Sequence, residues 1–470
     1  MVLPEGCLEN ESRSSATVER IHGSQRIMFS VGVIRKHPMS HQKKLAFLRT
    51  KVIQISATTS VPRAELPINL RPPKSNQTLK WYLKTNSTMK ALFFFRQLLR
   101  QNPSAVDSYS LMFVLKACTL VSSSTGRQLH AIVKKLGLEP IIFLQTCLVD
   151  LYSMMGNLGG AHQIFDEIPR KNTVCWTSLI SAYANNNKHS KALKLFMQMQ
   201  VNNVEPDQVT LTVALAACAS LGALAMGEWI HAYIRRSELK ADLCLNNALI
   251  NMYVKCGGIE KARTLFCSVM EKDVTTWTSM IVGHALYGQA EDALELFAKM
   301  TGRKYGADKS KDFSQRSMLV VPNNVTFLGV LMACSHAGMV EEGKRHFRSM
   351  IHGYGLKPTL SHFGCMVDLL CRSGFVREAY DFILGMPVHP NAVIWRTLLG
   401  ACFLHGKVEL GEEARRQLFG LEPAYAGDDI ALCNMYAANG LWTEKMMTRD
   451  RLKYRRAPGC SLIEAGSEIN

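Results

Sequence analysis

Apolar residues fall at i, i+3, i+4 and i+7 in four short runs: Ala161, Ile164, Phe165, Ile168; Ala192, Leu195, Phe196, Met199; Ala262, Leu265, Phe266, Val269; and Ala293, Leu296, Phe297, Met300. That spacing places each run on one face of a helix. The four alanines are separated by 31, 70 and 31 residues. An earlier apolar stripe, Leu179-Ile180 and Tyr183-Ala184, is followed by the polar turn Asn185-Asn186-Asn187 before the Ala192 run begins. The repeating unit is therefore predicted to be a helical hairpin.

Hairpins can be laid end to end over 72–107, 108–141, 142–172, 173–207, 208–242, 243–273, 274–323, 324–359 and 360–391, cycling through a standard, a longer and a shorter form. Lys116-Ala117-Cys118 returns as Ala216-Ala217-Cys218 and Met332-Ala333-Cys334, and Leu129-His130-Ala131 as Ile230-His231-Ala232. Asp150-Leu151-Tyr152 returns as Asn251-Met252-Tyr253, and the Trp176-Thr177-Ser178 triplet as Trp277-Thr278-Ser279. The third round is displaced by an insertion at 301–321, rich in Lys, Arg, Asp and Ser, which reads as a solvated loop. A period of roughly 20 to 50 residues marks a stacked array in which each unit buries its apolar face only against its neighbours.

This cycle and these motifs resemble the plant pentatricopeptide repeat family, in the subclass with alternating P, L and S repeats. The likeness covers roughly 72–460 and implies an all-α, right-handed α-solenoid superhelix. Tetratricopeptide arrays share the hairpin but lack endings such as Val204-Glu205-Pro206-Asp207. The expected organisation is a basic leader or transit peptide over 1–71, nine repeats over 72–391, two degenerate hairpins over 392–460 resembling the family's E extension, and a tail over 461–470.

Charge and composition narrow the function. The chain carries a net +17, with +6 in residues 1–71 and +11 in the remainder, which suits a polyanionic partner. Arg20 to Ala64 contains no acidic residue, as in organelle transit peptides; four glutamates precede it, and starts at Met28 or Met39 would give a cleaner leader. Of the fourteen cysteines, Cys118, Cys218, Cys334 and Cys402 stand at equivalent repeat positions, reading as small buried side chains in a reducing compartment. The uncharged stretch 208–227 is long enough to span a bilayer but lies in frame with 108–127 and 324–343, so it reads as a hairpin's first helix and turn. Gly338-x4-Gly343-Lys344 mimics a phosphate loop, yet Arg345 replaces the Mg²⁺-binding hydroxyl and no strand precedes it.

Catalysis is not expected, nor is a cofactor or a metal. Relatives that end in a cytidine deaminase need His-x-Glu followed by Cys-x-x-Cys, and this chain has neither. His362, Cys365 and Cys371 are close in sequence but fit a helix face and lack a fourth ligand.

The remaining role is recognition. Stacked first helices stand about 10 Å apart, a spacing to which unstacked RNA bases can be splayed and read one per repeat. In the resembling family the reading pair is a repeat's fifth residue and its last. Carried over, these are Asn76 with Asp107, Thr146 with Asn172, Thr177 with Asp207, Thr212 with Asp242, Asn247 with Asp273, Thr278 with Asn323, and Gly364 with Asn391. The family pattern gives Thr a purine preference and Asn a pyrimidine preference at the fifth place, and gives a final Asp G or U and a final Asn A or C. The implied bases are U, A, G, U and A at the first, third, fourth, sixth and seventh places, with G at the fifth from Thr212. Met112 with Ile141 and Leu328 with Thr359 offer no polar fifth residue, and Gly364 departs from the pattern.

The resemblance implies an organellar single-stranded RNA-binding protein, in mitochondrion or chloroplast, with Arg in the leader favouring the mitochondrion. It would select sites for C-to-U editing and recruit a DYW-type deaminase and other editing factors through its C-terminal extension. RNA stabilisation, splicing or translation, and a protein-binding scaffold without RNA, are the alternatives.

Overall fold

The computed structural model describes residues 72–102, 106–119, 123–237, 239–302 and 320–453. The expected leader, most of the 301–321 insertion and the 461–470 tail lie outside them. The described residues form two compact units, one within Met1–Met155 and one within Gly156–Asn470.

The first unit holds α1 (Pro72–Lys84), α2 (Thr88–Gln101), α3 (Ser108–Cys118), α4 (Ser123–Lys135) and α5 (Ile142–Met154). The second opens with α6 (Leu158–Asp166), α7 (Thr173–Asn185), α8 (His189–Val201), α9 (Gln208–Leu221), α10 (Leu224–Arg236), α11 (Leu243–Lys255), α12 (Ile259–Ser268), α13 (Val274–Leu286) and α14 (Ala290–Thr301). It continues with α15 (Asn324–Ala337), α16 (Val340–Arg348), a π-helical turn Ser349–Gly353, α17 (Leu360–Arg372), α18 (Val376–Leu384), α19 (Ala392–Leu404), α20 (Val408–Leu421), α21 (Gly427–Ala438) and α22 (Trp442–Lys453). All regular structure among the described residues is helical, and no helix there is long and apolar enough to cross a membrane.

Within the second unit the first helices of successive hairpins, α7, α9, α11, α13, α15, α17, α19 and α21, pack side by side as one layer. The second helices pack against the first helix of their own hairpin and that of the next. In the first unit α1, α3 and α5 pack in the same way. This is the stacked-hairpin solenoid expected from the period.

The apolar stripes explain the stacking. Ala161, Ala192, Ala262 and Ala293 are fully buried, as are Phe196 and, nearly so, Phe165, Phe266 and Phe297. Each such aromatic contributes on the order of 1.5–3 kcal/mol by leaving water. Alanine allows the neighbouring first helix to approach, and Phe fills the gap: Phe165 meets Trp176 edge-on at 4.8 Å, and Phe266 meets Trp277 likewise at 5.1 Å. α6 and α12 end before Ile168 and Val269, although both remain buried. There Lys171 Nζ donates to the Ile168 carbonyl at 2.9 Å and Lys272 Nζ to the Val269 carbonyl at 2.5 Å, satisfying carbonyls that a longer helix would have bonded.

Glycine serves helix crossing at one recurring place. A Cβ on Gly227 would lie 2.3 Å from Met252 Sδ, one on Gly343 2.3 Å from Leu369 Cδ2, and one on Gly411 2.2 Å from Met435 Cε. Gly338, by contrast, ends α15 with φ +68°, a left-handed turn, so the phosphate-loop look-alike is a helix stop followed by a packing glycine. The uncharged 208–227 stretch likewise resolves into α9, a Gly222 turn and the start of α10.

The described cysteines are free thiols, and those at equivalent repeat positions are buried. Burial pushes Cys218, Cys334 and Cys402 up to about 12, as suits inert packing groups.

Candidate nucleic-acid interface

Each last residue sits one place before a first helix, where its side chain accepts the N–H three residues on. Asp107, Asn172, Asp207, Asp242, Asp273, Asn323 and Asn391 all do this through Oδ1, with distances of 2.7 to 3.1 Å. Capping alone therefore accounts for Asp or Asn at these positions. It does not distinguish Asp from Asn, which cap about equally well, and it leaves the second side-chain atom, Oδ2 or Nδ2, for another partner.

The fifth residues are placed beside these caps by first-helix packing. Asn76 Nδ2 donates to Asp107 Oδ2 at 2.8 Å. Asn247 Nδ2 donates to Asp273 Oδ1 at 3.1 Å. Two pairs are joined through a third side chain. Thr177 Oγ1 is 2.6 Å from Thr210 Oγ1, which donates to Asp207 Oδ1 at 2.7 Å. Thr278 Oγ1 is 2.7 Å from Thr326 Oγ1, which donates to Asn323 Oδ1 at 3.1 Å. The insertion between Thr278 and Asn323 leaves this arrangement the same as at Thr177 and Asp207.

Two pairs of the second unit are not joined in this way, and Thr146 and Asn172 stand in different units. Thr146 is buried and donates to the Phe143 carbonyl at 2.9 Å; Asn172 belongs to the other unit and caps α7. Thr212 donates to the Gln208 carbonyl at 2.7 Å, and Leu245, at the third place of the next repeat, has no hydroxyl to reach Asp242. At Gly364 open space stands where a side chain would be.

The carboxylates respond to their surroundings. Burial would raise Asp107, but the Ser110 N–H, the Asn76 amide and the Ser110 hydroxyl hold it below its ordinary range. Asp273 is lowered for the same reason: hydrogen bonds from the Thr276 N–H and hydroxyl and the Asn247 amide outweigh burial.

Two sets of residues escaped the sequence reading. Ser110, Thr210, Thr276 and Thr326, at the third place of their repeats, are fully buried and bond to the preceding cap. Their signal was the Asp/Asn-x-x-Ser/Thr spacing of a capping box. At the second place Tyr109, Val174, Val209, Val325 and Val393 are apolar yet 54–61% exposed, two residues after the caps. Their signal was an apolar residue out of phase with the core stripe. Tyr109 stacks on Phe143, the second residue of the following repeat, with ring centres 5.5 Å apart.

The proposed metal look-alike is otherwise employed. His362 Nε2 faces the Asn324 carbonyl at 2.7 Å and its Nδ1 meets the Thr359 hydroxyl at 2.7 Å, closing a capping box on α17.

Comparison with known proteins bears on this geometry. The PPR repeat model matches residues 146–173, 247–274, 275–305, 325–354 and 361–389, and the PPR repeat family model matches 171–220. The chain belongs to the pentatricopeptide repeat family. It is 36% identical over 390 residues to an Arabidopsis thaliana pentatricopeptide repeat-containing protein named as chloroplastic/mitochondrial, covering 80% of this chain and 59% of that protein. A mitochondrial pentatricopeptide repeat protein of Arabidopsis thaliana is 37% identical over 392 residues, covering 83% of this chain and 59% of its own length. The chain thus spans well under two thirds of these relatives. Among solved structures it is similar to the pentatricopeptide repeat protein PPR10 in complex with an 18-nt psaJ RNA element, with a TM-score of 0.64 and 17% identity over 88% of this chain and 58% of that one. At that identity the likeness establishes a shared fold.

Proposed function

We propose that this pentatricopeptide repeat protein binds single-stranded RNA and reads it base by base along the first-helix layer. The observation that carries this is the recurrence, at four repeat junctions, of a joined polar pair, which at Asp107, Asp207 and Asn323 lies beside an exposed Tyr109, Val209 or Val325. Such a junction offers a base both an apolar face to lie on and hydrogen-bonding atoms for its edge. Basic side chains would supply affinity through phosphates.

The similarity to PPR10, whose complex contains RNA, supports the reading, as do the relatives' chloroplastic and mitochondrial names for an organellar setting. The mitochondrion is the preferred compartment, on the Arg content of residues 1–71. Asn76/Asp107, Thr177/Asp207, Asn247/Asp273 and Thr278/Asn323 are the pairs expected to discriminate. The second repeat is not: Met112 offers no polar group, and Tyr109 and Phe143, which would flank its base, lie against each other. The finer role is selection of a C-to-U editing site, with α19–α22 in the C-terminal extension recruiting a deaminase held by another protein.

The test is binding of the full chain to an RNA carrying U-n-A-G-G-U-A-n-n, beside the same RNA with A and G exchanged, over a salt series. Tight, salt-sensitive binding that falls about tenfold or more on exchange is expected. Equal binding to both RNAs would defeat the pair assignment, and no binding to either would leave the scaffold reading in front.

A further inference from the structure

We infer that the buried hydroxyl at the third place of a repeat, Thr210 above all, sets which hydrogen-bonding atoms the preceding reading pair shows to RNA. The inference rests on the base-reading function above. Thr210 is fully buried, so it touches no RNA itself and is a positioning residue.

Proton counting gives the argument. A carboxylate only accepts, whereas a threonine hydroxyl has one proton to give and lone pairs to accept with. Thr210 gives its proton to Asp207 Oδ1 at 2.7 Å. Its oxygen can then only accept from Thr177, 2.6 Å away. The Thr177 proton has two inward acceptors, Thr210 Oγ1 and the Thr173 carbonyl at 2.8 Å. Both protons therefore point into the protein. Asp207 is exposed and keeps Oδ2 for a base, while Thr177, itself buried, has only lone pairs left on Oγ1, so a base edge reaching the pair meets two acceptors. Guanine is the base whose Watson–Crick edge carries two adjacent donors, N1–H and N2–H, so the pair fits guanine, and the relay ties its two acceptors to one another.

The Thr278 junction makes the comparison. Thr326 links Thr278 to Asn323 in the same way, but Asn323 has Nδ2 where Asp207 has Oδ2. An acceptor then stands beside a donor, which complements the N6–H and N1 of adenine. At the Thr212 junction Leu245 replaces the hydroxyl, and no relay fixes Thr212 to Asp242. The fifth base should accordingly be read less sharply than the fourth, although both pairs are Thr with Asp.

The experiment compares full-length Thr210→Val, Thr210→Ser and the parent chain on U-n-A-X-G-U-A-n-n RNAs. X is varied between G and A, and U and C are exchanged at the sixth base as an internal reference. Valine keeps the volume and the Asp207 cap while removing the link; serine restores the hydroxyl. The parent should favour G at X by about tenfold. Thr210→Val should lose most of this, by about fivefold, the worth of one neutral hydrogen bond. The sixth-base ratio should be unchanged, and Thr210→Ser should recover the preference. Unchanged discrimination at X in Thr210→Val overturns the relay. So does equal loss at the fourth and sixth bases together with a lowered Tm, which is a purely structural effect. A parent chain that binds RNA without preferring G fails earlier, at base reading itself.

Discussion

Asp207 caps a helix and is proposed to read a base, and two substitutions separate the two roles. Its Oδ1 caps α9 by accepting the Thr210 N–H at 2.8 Å and the Thr210 hydroxyl at 2.7 Å, while Oδ2 faces the proposed base. Asp207→Asn preserves the cap, because asparagine is as good an N-cap, so stability should change by no more than about 0.5 kcal/mol. Asp207→Ala removes the cap at about 1 kcal/mol and takes an acceptor from the fully buried Thr210 hydroxyl, for a total of about 1–2 kcal/mol. RNA binding should order differently. Asparagine replaces an acceptor by a donor, so guanine meets an N–H with its own N–H while adenine gains a partner at N1. A swing of about 1.4–2.8 kcal/mol is ten- to a hundredfold in the G-over-A ratio. Urea denaturation gives the first quantity and filter binding to RNAs varied at the fourth base gives the second. If Asp207→Asn loses stability like Asp207→Ala, or keeps the parent's G preference, the separation of cap from reader is wrong.

Other expectations follow from packing and charge. Gly343→Ala should destabilise by about 1–3 kcal/mol in urea, since its Cβ lands 2.3 Å from the fully buried Leu369 side chain, whereas Gly420→Ala, with open space around it, should stabilise by up to about 1 kcal/mol. Asp107 and Asp273 are held below their ordinary range, so the unfolded chain binds protons more readily. Their contribution to stability should be complete above about pH 4 and lost as pH falls below it, and Asp273→Asn should flatten that acid limb of a pH–stability curve. Arg396 binds the buried Asp428 through Nε at 2.8 Å and a second nitrogen at 3.0 Å, and stacks on Tyr425. Arg396→Met should therefore cost about 3–5 kcal/mol, and hydrogen exchange should show the loss confined to α19–α22 and their immediate neighbours. Loss of protection spreading equally to α7–α9 would contradict that.

The chain's own rhythm told most of the architecture, because the Ala/Phe stripe and the Asp or Asn before each first helix act locally, within a turn or two. The proposed reading pairs came from family likeness, and structure added how they differ: Thr177 and Thr278 are tied to their caps by Thr210 and Thr326, while Thr212 is not. The capping-box spacing of those threonines was visible in sequence, but their second bond, to a residue more than thirty positions earlier, depends on which helices pack together. The same is true of Arg396 and Asp428, two ordinary charges in sequence that become a buried bidentate pair only when α19 and α21 meet. Gly227, Gly343 and Gly411 recur at one place in the cycle, yet the need for glycine comes from a crossing helix that no local pattern contains.

The relay also changes the frame in which this array can be cut and rejoined. The side chains proposed to decide the fourth base run from Thr177 to Thr210, beyond the repeat boundary at Asp207. A repeat transplanted with conventional ends would bring its fifth and last residues but borrow its buried hydroxyl from the recipient, and could change preference with no change in the transplanted letters. A joint placed between the third and fifth positions of each first helix carries base preference as a heritable block, which makes that point in the cycle the natural seam for recombination and for design.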